Sequence, residues 1–236
     1  MVATIEKKST SLPYFAGFLP AAGLLPAEIT IRRGEEKTLV FSKLQNALVR
    51  VEEGAKLIFV LVATEGWAEL AQITFELTGR EAEVKFLGFI VGAQDHKFPF
   101  ETISRHLVPQ TKAHYYLKAA MFGSSIVDYK GNIMIAKEAQ LTDSYLAHNT
   151  LLLSPQARAR TIPALEIEAD DVKAGHAATI GKVDDELMFY LTSRGISPKE
   201  AEEMLIQGFF ADYLRMIPDE KLRGQIGEFL EQSIPT

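Results

Sequence analysis

The 236-residue chain contains no cysteine. That absence excludes disulfides, any thiolate metal site supplied by this chain alone, and a cysteine nucleophile. Uninterrupted apolar runs of the roughly 18 residues needed for a spanning helix are also missing, so no membrane segment is expected. The motifs HExxH, GxSxG, GxGxxG and the P-loop do not occur, which removes the sequence signals for zinc proteases, hydrolases of the elbow type and nucleotide-binding loops. Positive charge is in deficit: the net charge is −6, which disfavours nucleic acid or an anionic surface as a partner. Histidine is scarce, and His96, His106, His114, His148 and His176 are the side chains that titrate near neutral pH. What remains is 47% hydrophobic and 24% charged, a composition that builds a folded core rather than a disordered chain. A cytoplasmic protein is the expectation.

The stretch Leu12 to Ala27 is apolar and follows Lys7 and Lys8, as a secretory signal would. Pro13, Pro20 and Pro26 interrupt it, however, and leave no compact apolar region between them. Residues 1–35 therefore read as an extended leader that docks on the body.

From about residue 36 to 182 the period is two. Leu165, Ile167 and Ala169 alternate with Glu166, Glu168 and Asp170, and Ala113, Tyr115, Leu117 and Ala119 alternate with His114, Tyr116 and Lys118. Successive side chains of a strand point to opposite faces, so this pattern means half-buried strands. Val84 to Val91 is apolar on both parities except at Lys85, which predicts a strand covered on both faces. Ala55, Ala82, Ala113, Ala139 and Ala157 each sit among polar residues just ahead of a strand. Such recurrence over some 20 to 50 residues suits a solenoid, whose neighbouring coils approach closely at small residues. An irregular antiparallel sandwich would place polar turns similarly, and the pattern alone leaves both open.

After Lys182 the period becomes helical. Asp184, Asp185 and Glu186 put negative charge in a first turn, and Arg194-Gly195 reads as its end. Ser197-Pro198-Lys199-Glu200 is a capping box with proline at the first helical position. Ala201, Met204, Leu205, Phe209 and Leu214 form the expected apolar stripe, and a short helix follows Pro218. Helices of this kind are expected to cap the open end of a solenoid and to offer their other face to a partner.

His106 and His114 are too far apart along a strand to persuade as a metal pair and read as surface histidines. Asp143, His148 and Asn149 lie close in sequence. They are either part of an acid/base set or, more in keeping with a solenoid, side chains that satisfy backbone groups at corners.

One long ordered stretch is more specific. Leu165-Glu166-Ile167, Ala169-Asp170-Asp171-Val172-Lys173, His176-Ala177-Ala178-Thr179-Ile180-Gly181 and Phe189-Tyr190-Leu191-Thr192-Ser193-Arg194-Gly195-Ile196 follow one another. Upstream come Leu141-Thr142-Asp143 and Asn149-Thr150-Leu151-Leu152-Leu153-Ser154. Across about residues 131–215 this resembles the SufB/SufD family of iron–sulfur cluster assembly proteins, and the SufD branch in particular. The resemblance implies a mainly β fold, a right-handed parallel β-helix over 36–182 with a C-terminal helical segment over 183–236. It implies a non-catalytic scaffold subunit that pairs with a SufB-like subunit, or with itself as a homodimer, and docks a SufC-like ABC ATPase. The expected docking residues are Phe189, Tyr190, Arg194, Gly195, Phe209 and Phe210, and the expected dimer strand runs from Leu165 through Ile167 to Val172, with Leu165 and Ile167 buried. His176 stands where the family presents a metal-facing histidine, so a transient iron or iron–sulfur cluster at the subunit junction is implied, with no cofactor resident in the isolated chain. Three departures qualify this. Ala174 replaces the cysteine of many family members, Ala177 replaces a glycine, and the chain has no room for the family's helical N-terminal domain. The glutamate of the SufB-type motif is also missing, which argues against a cluster-building role. Other readings are a carbohydrate-active β-helix enzyme, which needs clustered acids on one face, and a structural solenoid that binds no ATPase.

Overall fold

The computed structural model describes the backbone of residues 3–6 and residues 25–235; most of the leader expected at 1–35 lies outside them. In chain order the strands are β1 (Ala3–Glu6), β2 (Glu28–Ile31), β3 (Glu36–Phe41), β4 (Ala47–Val51), β5 (Lys56–Ala63), β6 (Ala71–Leu77) and β7 (Glu83–Gly92). They continue as β8 (Lys97–His106), β9 (Lys112–Met121), β10 (Ile126–Ile135), β11 (Thr142–Leu152), β12 (Arg158–Ile167) and β13 (Val172–Gly181). Three helices follow, α1 (Asp185–Ser193), α2 (Pro198–Leu214) and α3 (Glu220–Gln232).

From β2 onward, odd-numbered strands join one sheet and even-numbered strands the other, and each strand pairs in parallel with the strand one coil away. Parallel pairing at a fixed two-strand interval is a β-solenoid and rules out the antiparallel sandwich. The exception is β1, which lies antiparallel on β3 and so covers the first edge of the odd sheet. The first coil already includes β2, ahead of residue 36.

In-register stacking puts equivalent residues of successive coils in rows, and the rows explain the core. One inward row of the odd sheet runs Leu39, Phe59, Phe86, Tyr115, Leu146. Phe59 stacks on Phe86 at 5.4 Å between ring centroids and Phe86 on Tyr115 at 5.8 Å, separations at which aromatic pairs attract beyond their buried area. The alanines that recur in the sequence, Ala55, Ala82, Ala113, Ala139 and Ala157, are all buried in this lumen.

A second core lies outside the solenoid. On the outer face of the odd sheet Val40, Val60, Val62, Leu87, Phe89, Val91 and Ala120 are buried beneath Ile206, Phe210 and Tyr213 of α2 and Leu222, Ile226 and Leu230 of α3. This is why Val84 to Val91 carries apolar residues on both parities. It also corrects the expectation that the helices cap the open end: α2 and α3 lie flat on a sheet face instead. The buried stripe of α2 is Ala201, Ile206, Phe210 and Tyr213, while Met204, assigned to the stripe from sequence, is exposed. The capping box of Ser197 and Glu200 forms as expected, and Gly195 follows α1 at φ +89°, a backbone geometry that glycine adopts without strain. Among the described residues no helix is long and apolar enough to cross a membrane.

Candidate functional site

At this end each sheet stops at a strand with one open edge, β12 in one and β13 in the other. The segment from Leu165 to Val172, expected as one strand, is divided: β12 stops at Ile167, and residues 168–171 turn the corner into β13. The next coil that would cover these strands does not exist, so their inward side chains form an open mouth. Register places Pro163, Leu165 and Ile167 above Gly131, Ile133 and Ile135, and Val172, Ala174 and His176 above Thr142, Ser144 and Leu146. Leu165 is half-buried and still packs on the lumen core, as do Val172 and Ala174. Ile167, expected to be buried, is 41% exposed because nothing stacks on it.

His176 ends the row Leu39, Phe59, Phe86, Tyr115, Leu146. Its imidazole therefore belongs to the lumen side of β13, and it is exposed. It stands at the rim of an apolar mouth, beside the small residues Ala174 and Ala178 on the same face. One exposed imidazole with no thiolate in the chain supplies a single ligand, and no group of three or more His, Cys, Asp or Glu able to hold a metal occurs among the described residues. The chain by itself does not fit a cluster that needs four protein ligands.

The other histidines go elsewhere. His106 and His114, close in sequence, lie on different strands. His106 is buried in the lumen, its Nδ1 2.8 Å from Thr111 Oγ1 and its Nε2 3.2 Å from Ser144 Oγ. His114 is on the outer face, 3.0 Å from Asp143 Oδ1. His148 is buried one coil below the mouth, with Nε2 3.0 Å from Thr150 Oγ1 and Nδ1 2.5 Å from Thr161 Oγ1. Burial lowers the pKa of His106 to about 4 and that of His148 to about 3. Both are neutral at pH 7, each flanked by hydroxyls that can donate to one ring nitrogen and accept from the other. This disposes of an acid/base set made of Asp143, His148 and Asn149. Asp143 faces out to His114, His148 faces in, and Asn149 bonds Thr179 Oγ1 at 2.6 Å and accepts from the Tyr213 hydroxyl at 2.9 Å. Sequence reasoning passed over the lumen position of His106 and His148, which the inward parity of β8 and β11 would have signalled.

Beyond the mouth, β13 feeds α1, which has no buried residue. Phe189 is 75% exposed and Tyr190 51%, with Leu187 beside them. The Arg194 guanidinium lies 4.4 Å from the centre of the Tyr190 ring, and that stacking holds the ring at the surface. Phe209 and Phe210, grouped with these residues from sequence, are placed differently. Phe210 is 2% exposed and packs on Phe89 at 6.1 Å between ring centroids, so it is part of the chain's own core and not a partner contact. Phe209 is half-buried over the Lys118 ammonium, 4.7 Å from its ring centre. Lys118, buried among Phe209, Tyr213 and Asp212, is a polar tie between α2 and the solenoid beside the Tyr213–Asn149 hydrogen bond.

Comparison with known proteins gives this arrangement a family. Residues 27–209 match the family described as "SUF system FeS cluster assembly, SufBD core domain". The chain is 42% identical over 107 residues to the iron–sulfur cluster assembly protein SufD of Escherichia coli, across 45% of this chain and 25% of that protein. It is 31% identical over 172 residues to an iron–sulfur cluster assembly SufBD family protein of Mycobacterium leprae, across 70% of this chain and 43% of the relative. A SufBD family protein of Mycobacterium tuberculosis is 29% identical over 193 residues, 78% of this chain and 49% of its own length. The chain thus spans about half, or less, of the length of these relatives.

Proposed function

Because the chain belongs to the SufBD family of the SUF system, we propose that it serves iron–sulfur cluster assembly as a cytoplasmic, non-catalytic scaffold subunit. The observation that carries this reading is the pair of unsatisfied surfaces at one end of the molecule: a solenoid mouth with two open strand edges, and a helix with no buried residue just beyond it. Open strand edges and exposed aromatics are costly for a protein that acts alone and serviceable for one that acts in an assembly.

In this reading the mouth meets a SufB-like subunit or a second copy, through Leu165, Ile167 and Val172. Helix α1 meets a SufC-like ABC ATPase through Phe189 and Tyr190, with Arg194 and Gly195 fixing their presentation. ATP hydrolysis belongs to that partner. The cluster is cargo at the subunit junction. His176 offers it one nitrogen from the rim, in the neutral form that binds metal, and the other ligands come from the facing subunit. Ala174 adds no thiolate.

The test is a cluster-transfer assay on the assembled complex with wild-type chain and with His176→Ala. Because His176 is exposed, the variant is expected to melt like wild type and to dock the ATPase normally while delivering clusters more slowly. Unchanged delivery would remove His176 from the function, and loss of stability would make it a structural residue instead.

A further inference from the structure

One row on the outer face of the odd sheet changes character along the solenoid. In register from coil to coil it runs Val62, Phe89, Lys118, Asn149, Thr179. Val62 and Phe89 are buried beneath the helices, and from Lys118 onward the row is a cation, an amide and a hydroxyl. The C-terminal part of α2 engages these polar groups. Lys118 binds the Phe209 carbonyl and Asp212, and its ammonium lies 4.3 Å from the centre of the Tyr213 ring. The Tyr213 hydroxyl donates to Asn149 Oδ1 at 2.9 Å, and Asn149 Nδ2 donates to Thr179 Oγ1 at 2.6 Å. A continuous polar strut therefore runs from α2 across β11 to β13.

We propose that the Tyr213 hydroxyl and the Asn149 side chain are positioning groups for His176, holding β13 from outside so that the imidazole stays on the rim. This rests on the reading of His176 given above and adds the residues that set its place. The strand needs such a hold. Whereas β11 is hydrogen-bonded along both edges, by β9 and by β13, β13 is bonded along one. Val172 and Ala174 pack on the lumen core, but no residue from His176 to Gly181 is buried. A segment with few buried side chains opens locally at little cost, so one bond on its outer face weighs heavily in where it sits. Thr179 is three residues from His176, about 10 Å along the strand, and the bond acts on the imidazole through that short length of backbone. Burial pushes the Tyr213 pKa up to about 12, so its hydroxyl keeps the proton it donates at any working pH.

The test uses the assembled complex and substitutions that spare the core. Tyr213→Phe removes the hydroxyl and keeps the ring against Lys118. Thr179→Val removes the other end of the strut at an exposed position, and Thr179→Ser retains it. In hydrogen exchange, the amides that β13 donates to β11 between Ala177 and Gly181 should exchange about three- to tenfold faster in Tyr213→Phe and Thr179→Val, the range expected for one lost hydrogen bond. Thr179→Ser should exchange like wild type. Cluster delivery should be slower in the first two variants and normal in Thr179→Ser. Combined with His176→Ala, Tyr213→Phe should slow delivery no further, because nothing is left to position; a residue that only stabilises the fold would slow both backgrounds alike. Wild-type exchange of β13, wild-type delivery by both variants where His176→Ala is slow, or a double variant slower than His176→Ala alone would each overturn the proposal. If His176→Ala itself delivers at the wild-type rate, the reading of His176 fails and its positioning fails with it, and faster exchange would then mark the strut as a structural tie.

Discussion

The two lumen histidines make stability depend on pH in a direction and amount that can be worked out. Burial holds His106 at a pKa of about 4 and His148 at about 3, whereas an unfolded histidine titrates near 6.5. Above pH 6.5 both states are neutral and nothing is lost. Below it the unfolded chain takes up two protons that the folded chain refuses, so stability falls as pH falls, until the folded pKa values are reached. Each histidine costs about 1.4 kcal/mol per pH unit in that window, so at pH 5 the pair removes about 4 kcal/mol, a large part of the ~5–15 kcal/mol that holds a typical domain together. The perturbation is His148→Gln, which keeps a polar side chain between Thr150 and Thr161. The variant starts less stable, but its slope against pH is the quantity of interest. Urea denaturation at steps between pH 7.5 and 5 should give it about half of the histidine-dependent slope of wild type. All other groups are common to both proteins and cancel in the comparison. Equal slopes for the two proteins between pH 6.5 and 5 would refute the reasoning.

Phe86→Ala removes the middle ring of the lumen stack and should cost about 3–5 kcal/mol in urea denaturation. Gly131→Ala should cost about 1–3 kcal/mol by the same measurement, because its new methyl would meet the Leu146 side chain and lie 2.9 Å from Tyr129 Oη. Lys118→Ala leaves Asp212 and the rings of Phe209 and Tyr213 without their cation; a loss of about 1–3 kcal/mol is expected, reduced because Asp212 is half exposed. Hydrogen exchange should show that loss concentrated in α2 and α3.

Several features of this fold were legible in the residues. The alternation from Ala113 to Ala119, the alanines ahead of the strands and the capping box at Ser197 all report local rules of side-chain direction and capping, and the structure follows them. The resemblance turned an undecided choice between solenoid and sandwich into a parallel β-helix, which register alone could then confirm. The placement of the helices was not legible. Alternation showed that Leu87 and Phe89 needed a cover, yet it could not say which segment supplies it, and α2 and α3 were assigned to the solenoid end. The phase of α2 was misread for a related reason: Phe209 and Phe210 are adjacent, and only the packing of Phe210 on Phe89 decides which one faces the sheet. Ile167 was misread because its inward direction is right but the coil that would bury it is missing. The site was less legible than the fold, since the exposure of His176 depends on where the stack ends.

The central claim is that α1 is a docking surface for the ATPase, and calorimetric titration of a SufC-like ATPase into the chain tests it most directly. Wild type should bind, and Phe189→Ala and Tyr190→Ala should each weaken binding by about 1–3 kcal/mol while leaving the thermal melt unchanged, since neither side chain is buried. Wild-type affinity in the variant carrying both substitutions, or no binding by the wild-type chain, would contradict the account.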